Sequence, residues 1–224
     1  MDKKNSTLFL FISIAFVTAL LISNIVAFKL ITLGPWVLTA GVLVFPITYI
    51  VNDLVAEVYG YQRAKSVIWF GFAMNFLSVL YFRLAILLPY PPFFGGQDAF
   101  ATVLGGTWRI LLASLTAYLV GSFVNAFVMS KMKVHTNGKY LAARAVTSTA
   151  VGEFFDSILF VGIAFGGLYD LNTVMIMVFT QTAVKTLYEI VIFPVTSIII
   201  AKVKKYEQLD VYDHNISYNP FSLK

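Results

Sequence analysis

The chain has 224 residues, of which 59% are apolar and only 12% are charged, and its mean hydropathy is +0.82. A soluble domain is typically about 45–50% apolar and about 25% charged, so the composition excludes an ordinary soluble protein. Cysteine is absent, which excludes disulfides, a thiolate nucleophile and a cysteine-based metal site. The formal net charge of +5 comes from short clusters between apolar runs, so we interpret it as a topology signal and expect no nucleic-acid partner.

Six stretches are long and apolar enough to cross a bilayer, which takes about 20 mostly apolar residues. They cover residues 7–29, 37–58, 67–88, 110–129, 146–168 and 173–201. The first stretch is longer than the apolar core of a signal peptide and no small-residue cleavage site follows it, so we expect a retained helix. The predicted fold is an all-α, polytopic bundle of six transmembrane helices over residues 1–205, followed by a short polar tail, residues 206–224.

The distribution of basic residues predicts the orientation of this bundle. Six spans place both termini on one side of the membrane, and 12 of the 16 Lys and Arg residues then fall on that side. By the positive-inside rule, the N- and C-termini and the tail are predicted to be cytoplasmic. On the opposite side, the connection "PYPPFFGGQDAF" (89–100) is interpreted either as an interfacial loop with an aromatic anchor or as a lid over an outward-facing cavity.

Acidic residues, in the last span together with a lysine, occur inside three of the predicted spans. A charge at the bilayer centre costs roughly 2.5–3.5 kcal/mol, so these side chains are predicted to share a polar interior. Helical spacing puts the acids of the second span on one face with Tyr49, and those of the fifth span on one face with Phe160. Asn24 in the first span is a further polar contributor. The charged members are Asp53, Glu57, Glu153, Asp156, Lys185 and Glu189.

Several of these side chains have a simpler structural interpretation. Lys185 and Glu189 are four residues apart and could form only an intrahelical ion pair. Glu57 lies near the end of its span, where it could reach water. Asn24 could form a packing hydrogen bond between helices. Asp53 and Asp156 have no cation three or four residues away, which favours a functional role for both.

Two prolines and a weak internal repeat add to the pattern. Pro46 and Pro194 are predicted to interrupt the second and sixth spans beside the charged residues, and broken spans of this kind are typical of transport sites. Asn24 recurs as Asn125 at an offset of 101 residues, and the acid pair of the second span recurs in the fifth. Helices one to three and four to six could therefore be inverted repeats.

The sequence lacks the usual signatures of a membrane enzyme. No HExxH, GxSxG or glycine-rich phosphate loop is present, and both histidines, His135 and His214, lie in polar segments. We therefore predict no catalytic residue, no metal site and no cofactor. A transporter with a cavity of mixed charge is the preferred interpretation, and a membrane-embedded enzyme is the alternative from another class.

Four stretches carry a resemblance to a known family. They are "SNIVAFKLITLG" (23–34), "FPITYIVNDLVAEVYG" (45–60), "RAVTSTAVGEFFDSILFVGIAF" (144–165) and "VKTLYEIVIFP" (184–194). Together with six spans, they make the chain resemble the queuosine precursor transporter family, also known as the vitamin uptake transporter family, over nearly its full length. The resemblance implies a multi-pass protein of the bacterial inner membrane that imports 7-cyano- or 7-aminomethyl-7-deazaguanine.

The resemblance also implies which positions matter, while Glu57, Glu153 and Glu189 match its pattern less firmly. The matched positions are Asn24, Asp53, Arg144, Ser148, Asp156, Phe160 and Lys185. For a deazaguanine, we expect Asp156 or Glu153 to accept hydrogen bonds from the base, and Asn24 or Lys185 to donate to its carbonyl. Phe160 and Tyr49 would face the ring. Asp53 would neutralise an aminomethyl cation or carry a coupling proton.

The remaining residues are assigned to coupling or gating, and the chain's partners follow from the same interpretation. The coupling or gating candidates are Glu57, Arg144, Ser148 and Glu189. The expected partners are a small deazaguanine substrate and the lipid bilayer. A homodimer is left open, and so is a substrate-binding subunit of a vitamin importer that borrows a separate ATPase.

Overall fold

Five long helices dominate the structure. The computed structural model describes residues 6–26, 29–33, 36–105 and 108–222, so Lys3, Lys4 and Lys224 lie outside the described residues. The five helices that are long and apolar enough to cross a membrane, by length and composition, are α1 (Thr7–Val26), α3 (Tyr61–Leu87), α5 (Trp108–His135), α6 (Leu141–Phe165) and α7 (Leu171–Glu207). The chain is therefore a helical membrane protein, as its composition predicts.

The second predicted span is not one continuous helix. Strand β1 (Leu30–Leu33) pairs antiparallel with β2 (Trp36–Thr39) in a hairpin, and a 3₁₀ turn (Ala40–Leu43) follows. Only then does α2 (Phe45–Tyr59) begin. Its 15 residues rise about 22 Å. That is shorter than the roughly 30 Å of a bilayer's hydrocarbon core, so the prediction of six full-length spans is wrong at this helix.

Pro46 starts α2 instead of interrupting it. The proline lies in the first turn of the helix, where its missing N–H would have had no partner in any case. Most of α2 is buried, including Asn52, Asp53 and Glu57. The short α2 packs against α1, α3, α5 and α7 and is largely enclosed by these long helices. Pro194, by contrast, lies inside α7, which continues beyond it to Glu207.

Two glycines let α5 and α6 approach closely. A Cβ on Gly121 would lie 2.9 Å from both Tyr49 Oη and Asp156 Cβ, and one on Gly152 would lie 2.8 Å from Asn125 Cβ. Small residues at such crossings allow helix backbones to touch in a membrane, where no hydrophobic effect drives association. This crossing brings polar side chains of α2, α5 and α6 together.

The helices extend further than predicted at one end of the bundle. α5 continues to His135 and α7 to Glu207, and Ser6 Oγ donates a hydrogen bond of 2.6 Å to Glu207 Oε1. The beginning of α1 and the end of α7 therefore meet. We call this end of the bundle the tail end; it also contains the end of α2, the beginning of α3 and the beginning of α6.

The opposite connection contains a helix, whereas the sequence predicts a loop there. α4 (Gln97–Gly105) begins within the segment 89–100 and packs on α3. Gln97 Nε2 donates a hydrogen bond of 3.0 Å to the carbonyl of Ile86. Before it, Phe93 projects outward with 90% of its surface exposed, consistent with an aromatic anchor at an interface.

The polar tail folds back onto the helices. Asp213 is buried, and its Oδ2 accepts a 2.9 Å hydrogen bond from the Tyr61 backbone N–H and a second from Ser130 Oγ. Trp69 Nε1 donates to the carbonyl of Pro220 at 2.8 Å, and the ring of Tyr218 packs on that of Tyr61 with centroids 4.9 Å apart. The tail therefore covers the junction of α2, α3 and α5.

Gly60 makes this junction possible. It alone separates α2 from α3, and its φ of +82° belongs to the left-handed region that favours glycine. A Cβ at this position would also lie 2.8 Å from Asp213 Oδ1. The close turn lets Asp213 reach the first N–H of α3, a group that otherwise has no partner within the helix.

Replacing Asp213 with Ala is expected to destabilise the fold. The change leaves the buried Tyr61 N–H without an acceptor, which costs about 1–3 kcal/mol. We expect a lower Tm for the detergent-purified protein, an intermediate Tm for Asp213→Asn, and little change for the neighbouring exposed His214→Ala. An unchanged Tm for Asp213→Ala would show that the tail's contacts do not stabilise the bundle.

Candidate functional site

Lys185 joins two acids of α6 in the interior of the bundle. Its Nζ lies 2.7 Å from Glu153 Oε2 and 2.8 Å from Asp156 Oδ2. Glu153 and Asp156 are three residues apart on one face of α6, and both are buried. We call Glu153, Asp156 and Lys185 the acid–lysine site. Lys185 pairs across helices, so its interpretation as only an intrahelical partner of Glu189 is wrong.

Two side-chain amides, Asn52 and Asn125, hold Asp53, and we call them the amide chain. Asn125 on α5 donates from Nδ2 to Asp53 Oδ1 at 2.9 Å, and Asn125 Oδ1 accepts from Asn52 Nδ2 at 2.6 Å. Ser148 Oγ on α6 lies 3.4 Å from the same Asp53 oxygen. Three helices therefore converge on one side of the carboxylate. Asp53 is fully buried and its second oxygen, Oδ2, has no hydrogen-bond partner among the described residues.

Glu189 lies on the same helix as Lys185. It is 1% exposed, and its helix, α7, packs against both α2 and α6. Glu189 is one turn beyond Lys185 on the same face of α7. That face lies towards α6 and α2, because Lys185 contacts the acids of α6 and the Phe45 ring of α2. The four acids Asp53, Glu153, Asp156 and Glu189 therefore belong to one interior region.

This region contains several buried polar atoms without a hydrogen-bond partner among the described residues. Folded proteins satisfy about 90% or more of such atoms, so a group of them in one region is typical of a site that binds a ligand or water. They come from α2, α6 and α7 and include both donors and acceptors. The atoms are Tyr49 Oη, Asn52 Oδ1, Asp53 Oδ2, Thr149 Oγ1, Ser157 Oγ and Glu189 Oε1.

Aromatic rings border the acid–lysine site. The Lys185 ammonium lies 4.5 Å from the centroid of the Phe45 ring, and that ring lies 5.7 Å from the Tyr49 ring. Phe160 is one turn from Asp156 on α6 and half-buried, with its ring 6.1 Å from that of Phe165. Phe45 was not among the predicted residues, although the spacing of four to Tyr49 puts both on one face of α2.

Asn24 is placed apart from these contacts. Its Nδ2 donates a 3.0 Å hydrogen bond to Asn75 Oδ1 and so joins α1 to α3. This is the packing hydrogen bond that the sequence left open as an alternative. The role of Asn24 in substrate binding stays a prediction.

A second group of charges lies at the tail end. Glu57 is paired bidentately with Arg144: Arg144 Nη2 donates to Glu57 Oε1 at 3.1 Å and Nη1 donates to Oε2. Lys204 Nζ lies 2.7 Å from the same Oε1. Arg144 is fully buried and Glu57 is 1% exposed, so the prediction that Glu57 could simply reach water is wrong.

The tail completes this group. Asp210 Oδ1 lies 2.8 Å from Lys204 Nζ and also pairs with Lys133, which donates to the carbonyl of Val211 at 2.7 Å. Burial raises the pKa of Asp210, but hydrogen bonds from Lys133 and Lys204 outweigh it, so the pKa lies below its usual value. Asp210 therefore stays ionised at neutral pH. We call these residues the charge network: Glu57, Lys133, Arg144, Lys204 and Asp210.

Most of these side chains are predicted from the sequence, but their connections are not. Helical spacing predicts one cavity for Asp53 and Glu57, one turn apart on α2, whereas the structure places Glu57 in the charge network and Asp53 beside Asn125. Asn52 was missed, and Asn125 was noted only as a repeat of Asn24. A buried amide in a membrane span was the available signal for both. Lys133, Lys204 and Asp210 resembled ordinary polar flanks.

Glu57 and Arg144 are expected to depend on each other. Glu57→Gln leaves the buried Arg144 unpaired, and breaking a buried pair costs about 3–5 kcal/mol. Adding Arg144→Gln is expected to cost little more, because the charge that needed a partner is gone. The measurement is the Tm of the two single variants and the double variant, with the exposed Lys205→Gln as control. Additive losses would contradict the pairing.

Comparisons with known proteins agree with the resemblance. The profile of the family described as "Putative vitamin uptake transporter" matches residues 39–199. A "Probable queuosine precursor transporter" of Bacillus subtilis is 28% identical over 175 residues, which cover 77% of this chain and 75% of that protein. A protein of the same description from Haemophilus influenzae is 25% identical over 127 residues, 57% of this chain and 52% of that protein.

No solved structure matches the chain. The family profile covers residues 39–199, which include α2, α3, α5, α6 and most of α7, and with them the acid–lysine site and the amide chain. The family resemblance is thereby confirmed, and three of the four stretches that carry it, 45–60, 144–165 and 184–194, lie within the matched residues. The chain belongs to the vitamin uptake transporter family, whose members are described as transporters and not as enzymes.

Proposed function

We propose that the protein imports queuosine precursors, 7-cyano- or 7-aminomethyl-7-deazaguanine, across the bacterial inner membrane. The observation that carries this proposal is the acid–lysine site among buried polar atoms without protein partners. Two relatives are described as queuosine precursor transporters, which supports the same substrate class. Because basic residues are concentrated at the tail end, the positive-inside rule favours a cytoplasmic location for the tail end.

The acids provide the recognition of the base. A deazaguanine presents its N1–H and exocyclic amine as adjacent donors, and carboxylates accept such donors with charge-assisted hydrogen bonds. Lys185 contacts one oxygen each of Glu153 and Asp156, so we assign the second oxygen of these acids to the base. The Lys185 ammonium donates to the ring carbonyl, a role for which the sequence also proposes Asn24.

Aromatic side chains provide the flat surfaces. We assign Tyr49, whose hydroxyl has no partner among the described residues, and Phe160 to the faces of the ring. Phe45, whose ring faces the Lys185 ammonium, is a third candidate. Aromatic walls with a few polar groups are the usual lining of a small-molecule site. Gly121 lets the Tyr49 hydroxyl and Asp156 lie close to α5, because a Cβ at this position would come within 2.9 Å of both.

The charge network provides the closure at the tail end. Arg144 and Glu57 join α6 to α2, and Lys204 pairs with both Glu57 and Asp210, so it joins α7 to α2 and to the tail. We assign Glu57 and Arg144 to gating on this basis, and Ser148 to positioning Asp53 between the two charge groups. Release of substrate on this side requires these ion pairs to separate.

Replacing Asp156 with Asn tests the proposal. The change removes the negative charge but keeps the size, and loss of a charged hydrogen bond costs about 1.5–3 kcal/mol, or at least about 10-fold. Uptake of labelled precursor into cells that lack their own importer is expected to fall by at least that factor at equal membrane abundance. Asp98→Asn on α4, an exposed position, is the matched control. Undiminished uptake by Asp156→Asn would contradict the assignment.

A further inference from the structure

Two buried acids of the interior have no cationic partner among the described residues. The ion pairs there involve Glu57, Glu153, Asp156 and Asp210, and none includes Asp53 or Glu189. Both are at most 1% exposed, and each has one carboxylate oxygen without a hydrogen-bond partner in this part of the chain. Carboxylates in a membrane interior normally pair with a cation or take up a proton.

The charge balance of the interior points the same way. Asp53, Glu153, Asp156 and Glu189 contribute four negative charges when ionised, and Lys185 contributes the single positive charge that the ion pairs of this region contain. Lys185 is already engaged with the two acids of α6. The excess negative charge therefore lies with Asp53 on α2 and Glu189 on α7, two helices that pack against each other.

The amide chain presents oxygen atoms in this place. Asn125 occupies Asp53 Oδ1, which leaves Oδ2 as the available oxygen. Asn52 uses its Nδ2 for Asn125 and for the carbonyl of Ser122, so its own Oδ1 is an unpartnered acceptor in a side chain only 2% exposed. Carboxylate and amide oxygens are the ligands that hard cations and ammonium groups prefer. As acceptors, these oxygens cannot bind a ligand that has neither a positive charge nor a hydrogen-bond donor.

We infer that Asp53 and Glu189 form a monovalent cation subsite of the transport cavity, with Asn125 as the residue that positions Asp53. The inference rests on the proposed function. The cation is either the ammonium group of an aminomethyl-deazaguanine or a small inorganic ion that enters with the substrate. In both cases the positive charge is bound at the α2–α7 contact, while the base is bound at the acid–lysine site.

Uptake of the two precursors separates these sources. Asp53→Asn and Glu189→Gln remove one charge each at constant shape, and Asp98→Asn, which removes one charge at an exposed position of α4, is the control. If the ammonium group is bound, both variants lose at least about 10-fold in uptake of the aminomethyl compound and little with the neutral cyano compound. If an inorganic cation is bound, uptake of both compounds falls together.

The inorganic ion is identified by replacing it. Wild-type uptake is measured with sodium or with N-methylglucamine, each with and without a protonophore. If wild-type uptake depends on the cation supplied, we expect uptake by Asp53→Asn and Glu189→Gln to lose that dependence. Asn125→Ala is expected to shift the substrate concentration for half-maximal uptake, with Asn125→Gln restoring part of it. Should Asp53→Asn fail to accumulate, Glu189→Gln carries the comparison alone.

Melting of the purified protein gives a readout that does not need transport. Sodium chloride or methylammonium chloride is expected to raise the Tm of the wild type relative to N-methylglucamine chloride at equal ionic strength, and the two acid variants are expected to lose that rise. A wild type that transports neither precursor but shows the rise would overturn the proposed function and keep the subsite. If both acid variants match the wild type in uptake and in the rise of Tm, the subsite is overturned.

Discussion

A carboxylate enclosed by membrane-spanning helices must be neutralised, and α2 carries two of them, Asp53 and Glu57, one helical turn apart. Glu57 is neutralised by Arg144 and Lys204, which come from α6 and α7. Asp53 is held by the amide of Asn125 on α5 and is left with one oxygen free. Because its acids recruit partners from three other helices, the short α2 fixes how those helices are arranged around it.

The surroundings of α2 differ between Asp53 and Glu57. Around Asp53 the bundle contains more acid than base and several polar atoms without protein partners, which suits a site that a ligand enters. Around Glu57 three cations and the tail residue Asp210 form a closed set of ion pairs, which suits a barrier. Removing one partner of a buried ion pair is strongly destabilising, so separating the charges of this network is costly.

Much of the fold and part of the site follow from sequence alone. Five long helices are confirmed, and Asp53, Glu153, Asp156 and Lys185 are brought into one interior as helical spacing predicts. The second span was misjudged because hydropathy cannot distinguish a membrane helix from a hairpin followed by a buried 15-residue helix. Pro46 was the available signal, since proline starts helices more readily than it interrupts them. The sequence predicts only a short polar tail, because the partners of Asp210 and Asp213 are distant in sequence or lie on other helices.

The central claim is that the acid–lysine site binds the transported base. It is tested most directly by an experimental structure of the purified protein with 7-aminomethyl-7-deazaguanine bound. The account predicts ligand density between α2, α6 and α7, with the edge of the base on Glu153 and Asp156, its carbonyl on Lys185, and the ammonium group or an ion on Asp53 and Glu189. Ligand density elsewhere in the bundle, with Lys185 still enclosed by its two acids and no ligand beside them, would contradict it.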